Sequence, residues 1–377
     1  MKIGIVTYWK STNNYGEQLQ NYALQAYLKD LGHEPFLIRY DYENDRIRRS
    51  LPKRLVRAIN PKRLVRYFVS NRNNRKIIED RSDHPREFES FREEYLSMSR
   101  EYSTFEELRN DPPEADMYIC GSDQVWNSFS GGLFEMRNRL GVFFLNFGKD
   151  NVKRVSYAAS WGRVSIPEEE KSFIQPLIAK FDAVSVREKS GIDICCRLGR
   201  TDAQLALDPV LLHSADKYRQ LFALNEKHSS EDKYVFFYYM DNDGDYNRQA
   251  VFDWAASHNL KVIYVTDDWH DLYERSFPSV IEWLELIDNA EYVVTNSFHC
   301  SVFSIIFEKR FGVIKRFGVY TGMNTRMDSL FELCEMTPRY IDDVGFDVLN
   351  RPPERMESDK LNSVSFPEDI ISIAMRK

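Results

Sequence analysis

The chain has 377 residues, enough for two domains that each bury a sizeable core. Apolar residues make up 43% and charged residues 29%, which excludes a disordered chain. The net charge of −7 gives no reason to expect nucleic-acid binding.

In chain order, residues 2–7 (KIGIVT) read as a buried strand and 8–15 as a polar loop. Residues 16–31 have apolar positions at helical spacing and stop at Gly32, and 35–40 (PFLIRY) read as the next strand. This βαβ opening implies a parallel sheet. The pattern breaks near residue 43, and 43–110 reads as a basic, helical insertion in the first domain. Its 46–76 stretch holds twelve arginines and lysines and no acid, so the rest of the chain carries −19. Pro52 and Pro61 divide it into short helices. Leu51, Leu55, Ala58 and Ile59 share one face, and Leu64, Val65 and Phe68 repeat the pattern. A basic amphipathic surface of this kind reads as binding to an anionic membrane surface. A solvated hairpin packed on its own domain is the plain alternative.

The α/β rhythm resumes with strands at 117–120, 155–160 and 182–186, followed by LALDPVLL at 205–212. A second series has strands at 234–240, 261–266, 292–295 and 311–315, with helices near 246–258, 279–289 and from about 299. The expected domains are 1–220 and 221–345, each Rossmann-like. A tail at 346–377 has a helix expected to pack back on the N-terminal domain. In such sheets ligands bind outside the carboxyl ends of the strands, and the polar clusters of this chain sit at that edge.

The five cysteines, Cys120, Cys195, Cys196, Cys300 and Cys334, have no CxxC spacing. They read as reduced thiols of a cytoplasmic protein, with no disulfide frame and no metal site. The opening MKIGIVTYWK has too short an apolar segment for a signal peptide. No run approaches the roughly 18 apolar residues of a membrane span, so a membrane is expected to be reached only at its surface.

Four clusters carry chemistry. In 295-TNSFH-299, Asn296 and Ser297 at a helix start offer free N–H groups to an anion, or serve as a plain cap. His299 beside them is a titratable imidazole able to move protons near neutral pH. In 13-NNYGEQLQ-20, Gly16 permits close approach of the backbone, and Asn13, Asn14 and Gln18 offer amide groups suited to sugar or phosphate oxygens. A structural turn explains the same residues. It is a weak phosphate loop, with one glycine and no Walker lysine. In 121-GSDQVWN-127, Ser122, Asp123, Gln124, Trp126 and Asn127 combine a stacking ring with hydroxyl-binding groups, as a sugar site would. Arg187 with Glu188 follows a strand, where an arginine is a bidentate clamp for carboxylate or phosphate; a surface ion pair is the alternative. Arg326, in Asn324-Thr325-Arg326, puts a second guanidinium on the cleft side of the C-terminal domain. HExxH, GxSxG and kinase motifs are absent.

Taken together, NNYGEQLQNYAL, GSDQVWN, SYAASWG, SVREKSG, LDPVLL, PSVIEWLELIDNAEY and VVTNSFHCSVFSIIF resemble, in this order, the polysaccharide pyruvyl transferase family. The resemblance spans about residue 3 to 330. It implies two Rossmann-like domains in a GT-B-like arrangement with the site in the interdomain cleft. It also implies transfer of pyruvate from phosphoenolpyruvate to two hydroxyls of one sugar, as a cyclic ketal, in a cell-surface polysaccharide or its lipid-linked precursor. No cofactor is implied; phosphoenolpyruvate is the donor substrate. His299 matches the family's catalytic histidine and Arg187 a donor-binding arginine. Ser297 departs from the pattern, since family members place an arginine two residues before the histidine; Arg326 or Lys315 is expected to replace it. Asp123 or Glu188 would stabilise the cationic carbon formed as phosphate leaves. Asn14, Tyr15, Gln18, Ser122, Gln124, Trp126 and Asn127 are the acceptor-binding candidates. Two further readings fit the architecture: a glycosyltransferase using a nucleotide sugar, and a catalytically inactive carbohydrate-binding relative.

Overall fold

The computed structural model describes residues 1–43, 45, 86–127, 132–224, 233–240, 246–267, 273–353, 364 and 366–376. The basic segment 46–76 therefore lies outside the described residues. Eleven strands among those described form two sheets. In chain order they are β1 (Lys2–Val6), β2 (Glu34–Tyr40), β3 (Met98–Tyr102), β4 (Met117–Cys120), β5 (Lys153–Ala159), β6 (Ala183–Val186), β7 (Gln204–Leu205), β8 (Tyr234–Tyr239), β9 (Lys261–Thr266), β10 (Tyr292–Thr295) and β11 (Arg310–Val313).

The first sheet has the order β3-β2-β1-β4-β5-β6-β7, the second β11-β10-β8-β9. All pairings in both are parallel. Chain order reverses between β1 and β4 in one sheet and between β8 and β10 in the other. These are the switch points where α/β sheets open a crevice at the carboxyl ends of their strands. The turns after β1, β4 and β10 carry three of the four clusters.

Helix α1 (Tyr15–Asp30) starts at Asn14, whose side chain accepts from the Glu17 N–H. It is buried along most of its length because it is shared. Leu24 and Leu28 pack with Ile3 and Ile5 of the first sheet. Tyr15, Leu19 and Tyr22 join Trp283, Val302 and Phe303 of the second half. The final helix (Pro367–Arg376) places Ile370, Ile371 and Ala374 on the face formed by Ile3, Ile5, Met117 and Val155. Among the described residues no helix is long and apolar enough to cross a membrane.

The structure differs from the expected insertion at one end. Residues 86–110 form a helix (Phe88–Tyr95), β3 and a second helix (Phe105–Asn110), and β3 pairs with β2. This part belongs to the first sheet. Its strand, MSREY, is an edge strand with one fully buried residue, so it lacks the apolar run that marks central parallel strands.

Candidate active site

Asp123 sits in the turn after β4 with φ +67°, a region that aspartate enters more readily than most residues. Its carbonyl accepts the N–H of Val125 at 2.8 Å and of Ser160 at 2.9 Å. The turns after β4 and β5 are thereby tied together. Its carboxylate Oδ1 lies 3.4 Å from Arg187 Nη2 and 3.7 Å from Arg326 Nη1. Asp208 caps the turn of 3₁₀ helix Pro209–Leu212, Oδ1 accepting from Val210 N at 3.1 Å. Its other oxygen accepts from Arg187 Nη1 and lies 3.5 Å from His299 Nε2. Five ionisable side chains, from the loops after β4, β6, β7, β10 and β11, thus meet in one buried cluster.

The two guanidiniums flank one ring. Arg187 lies 4.5 Å and Arg326 5.6 Å from the centre of Phe298. Both Nε atoms are buried without a hydrogen-bond partner among the described residues. Burial alone would lower an arginine's pKa. At Arg187, Asp208 and Asp123 outweigh burial and raise it. At Arg326, burial and the neighbouring Arg187 win over Asp123, and the guanidinium is pushed down to about 9. Burial also pushes the Asp208 and Asp123 carboxyls up, but Arg187 and His299 hold both below the usual carboxylate range. Arg326 is thus a buried guanidinium whose charge its neighbours offset only in part.

His299 opens helix α10 (Phe298–Ile306) and is 5% exposed. Its ring rests on α1: a Cβ built on Gly16 would lie 2.1 Å from Nδ1. Only glycine lets the two halves meet there.

The remaining sequence candidates fall into two groups. Ser122 and Gln124 reach the cluster. Ser122 Oγ donates to Ala158 O at 3.0 Å and lies 3.4 Å from Asp208 Oδ2. With its amide oxygen turned to Arg326, Gln124 accepts from Nη1 and Nη2 at 3.2 and 3.0 Å. Asn296 and Ser297 lie beside it but hold the backbone: Asn296 Oδ1 accepts from Met240 N at 2.9 Å, and Ser297 caps α10.

The others point elsewhere. Trp126 is fully buried, stacked on Phe144 with ring centres 4.9 Å apart. Its Nε1 donates to Phe143 O at 3.1 Å. It is a core residue with no face for a sugar. Tyr15 is fully buried too, stacked on Trp283 at 5.1 Å and donating to Pro278 O at 2.8 Å. Gln18 donates to Trp9 O at 2.9 Å. Asn14 is the cap of α1, and the Asn127 carbonyl accepts from Arg139 Nη2. Glu188 is fully buried with Oε1 accepting from Ser160 Oγ, Trp161 N and Gly162 N; it braces the turn after β5. Lys315 pairs with Asp343 at 2.5 Å. Its neighbour Arg316 takes the inward side, donating through Nε to Asn296 O at 3.2 Å, because successive residues of an extended segment face opposite ways.

Sequence reasoning passed over Asp208, Arg316 and Glu17. Asp208 was legible as a turn residue only. Arg316 was hidden by its neighbour lysine. Glu17 looks like an ordinary first-turn acid, but it is 6% exposed.

Two parallel α/β sheets hold a buried arginine pair and a histidine at their facing strand ends. The model of the polysaccharide pyruvyl transferase family matches residues 14–316, and the chain belongs to that family, which is one of transferases. No curated protein matches the chain. Among solved structures it is similar to UDP-GlcNAc 2-epimerase from Methanocaldococcus jannaschii in complex with UDP-GlcNAc and UDP. That match has 12% identity and a TM-score of 0.49 over 100% of both chains. It is also similar to a putative UDP-N-acetylglucosamine 2-epimerase from Listeria monocytogenes, at 10% identity and a TM-score of 0.47, covering 100% of this chain and 94% of that one. A third is an alpha-glucosyltransferase in complex with UDP and a 13-mer DNA, at 8% identity and a TM-score of 0.47, covering 100% of this chain and 99% of that one.

Proposed function

We propose that the chain transfers pyruvate from phosphoenolpyruvate to two hydroxyls of one sugar, in a cell-surface polysaccharide or its lipid-linked precursor, closing a cyclic ketal. The observation that carries this reading is the buried Arg187–Arg326 pair around Phe298, with Arg326 pushed down to about 9 by burial and by the neighbouring Arg187. Phosphoenolpyruvate brings a carboxylate and a phosphate, and two forked guanidiniums suit both. Arg326 takes the place of the arginine that Ser297 lacks.

His299 delivers a proton to the methylene carbon as the first hydroxyl adds to the neighbouring carbon. Asp123 stabilises the positive carbon that forms when phosphate leaves. The second hydroxyl then closes the ring. One acceptor proton ends on the new methyl group and the other on phosphate.

Phosphoenolpyruvate is expected to raise the melting temperature of the protein, and Arg187→Lys or Arg326→Lys to remove most of that shift. Phosphate release in the presence of a lipid-linked sugar extract is expected to fall by about 10²–10⁴ in His299→Ala. A shift with UDP-sugars and none with phosphoenolpyruvate would overturn the reading in favour of a nucleotide-sugar enzyme. Donor binding with no phosphate release from any acceptor would leave an inactive binder.

The basic 46–76 segment fits a peripheral site at an anionic leaflet, where each lysine or arginine is worth about 1 kcal/mol. Co-sedimentation with anionic vesicles that salt abolishes is the expected result. Binding that ignores lipid charge, or none, counts against it.

A further inference from the structure

A cavity of about 640 Å³ opens at the carboxyl ends of β1 and β2 and is bounded by the loop into α1. That volume suits a small-molecule site. Its walls include Tyr8, Lys10, Glu17, Asp41, Tyr42 and Glu43. Tyr8 and Tyr42 meet edge to face at 5.5 Å, presenting ring surface of the kind sugars pack against.

Three carboxylates stand against one ammonium, and that ammonium is already engaged. Lys10 Nζ lies 2.5 Å from Asp41 and 2.8 Å from Glu101. Two arginines beside the lining are also engaged: Arg92 donates to Ser11 O at 3.0 Å and Arg139 to the Tyr8 hydroxyl. Among the described residues the lining offers hydrogen-bond acceptors and rings, and no uncommitted positive charge for an acidic sugar.

Glu17 is the buried acid of this wall. Oε1 accepts from Ser11 N at 2.9 Å and Gln18 Nε2 at 3.2 Å. The carboxylate forms part of the cavity wall. The residue before it, Gly16, is the one on which the His299 ring rests. The cavity and the arginine cluster are therefore neighbours across a single peptide.

Resting on the pyruvyl-transfer reading above, we propose that this cavity is the acceptor subsite, that it takes a neutral hexose or amino-sugar ring, and that Glu17 removes the proton from the first attacking hydroxyl. Protons then balance as follows. As the hydroxyl oxygen bonds to the enol carbon, its proton passes to Glu17, while the carbon–carbon π pair takes a proton from His299. The carbon–oxygen bond to phosphate breaks with its electron pair going to phosphate. The second hydroxyl bonds to the same carbon and returns its proton to His299. The proton on Glu17 leaves with phosphate. Burial, with Asp123 adding to it, pushes the Glu17 carboxyl up to about 7, so it exchanges a proton near neutrality. Ser11 N–H and Arg92 oppose that rise, and Lys10, Asp41, Glu43 and the Tyr8 hydroxyl line the same space.

The test measures binding of methyl glycosides by saturation-transfer difference NMR, with neutral hexosides, an N-acetylhexosaminide and a hexuronide as probes. Neutral and amino-sugar glycosides are expected to bind the wild type at least about tenfold more tightly than the hexuronide. Tyr42→Ala should weaken them by about tenfold or more. Glu17→Gln should keep the thermal shift with phosphoenolpyruvate but cut phosphate release by about 10²–10⁴ and remove the rise in rate through pH 7. Equal binding of the hexuronide, unchanged glycoside binding in Tyr42→Ala, unchanged turnover in Glu17→Gln, or no glycoside binding at all would each overturn the proposal. Loss of the phosphoenolpyruvate shift in the wild type would instead remove the donor reading on which it rests.

Discussion

A methyl group at position 16 would land 2.1 Å from Nδ1 and 2.6 Å from Cβ of His299. Neither contact is tolerable, so the ring must shift from its place beside Asp208. Gly16→Ala is therefore expected to keep the fold, displace the imidazole and lower turnover by about 10²-fold, as small misplacements of catalytic groups do. Near-normal turnover with an unshifted melting curve would show that the contact does not position His299. Trp126 makes the complementary point. Its motif reads as sugar-facing because polar residues surround it, yet the ring is stacked in the core against Phe144. A strand-end motif mixes residues that turn outward with residues that turn inward, and spacing alone does not sort them. Trp126→Ala should cost about 3–5 kcal/mol in urea unfolding. A variant that stays as stable as the wild type but binds sugars poorly would return the ring to the acceptor.

Helix α10 reads well from the sequence at its apolar positions, and the polar residues before it were placed at the strand end where the structure has them. What the sequence left open was their task. Ser297 Oγ accepts the Cys300 N–H at 3.4 Å, and the Ser297 carbonyl accepts from Ser301 N. The serine is spent on starting the helix. Ser297→Ala should thus lower stability by about 1 kcal/mol, the usual cost of a lost cap, and leave the phosphoenolpyruvate thermal shift intact. A lost shift at unchanged stability would make Ser297 a donor ligand instead. Central strands such as β1, β4 and β10 announce themselves as apolar runs because both faces are covered. The edge strand β3 does not, and so 86–110 looked like part of an insertion. The pairing of Lys315 with Asp343 was unreadable for another reason: a partner 28 residues away is chosen by the fold.

Across the whole molecule, buried charges set how stability responds to pH, and they pull in opposite directions. Asp123 and Asp208 titrate below their usual range in the folded state because Arg187 and His299 outweigh burial. Their contribution is present above the ordinary carboxylate value and is lost as pH falls through the lowered one. Glu17 behaves the other way. Its carboxyl rises from 4.5 to about 7 on folding. At Glu17 the folded state therefore holds more of the proton than the unfolded chain between those values, and this residue's contribution to stability declines as pH rises from 4.5 to about 7. At about 1.4 kcal/mol per pKa unit, ionising Glu17 costs the fold about 3 kcal/mol by the top of that window. Glutamine can still accept the Ser11 N–H but cannot ionise. Glu17→Gln is expected to match the wild type near pH 4.5 and to exceed its stability by up to about 3 kcal/mol at about pH 8, read from urea unfolding at each pH. The comparison isolates the ionisation of Glu17, its repulsion by Asp123 included, because the contribution of Asp208 is common to both proteins. A variant no more stable than the wild type at the higher pH would mean that Glu17 ionises there at no cost. A stabilised variant that is also slow would be the signature of a carboxylate kept buried for its reaction and not for the fold.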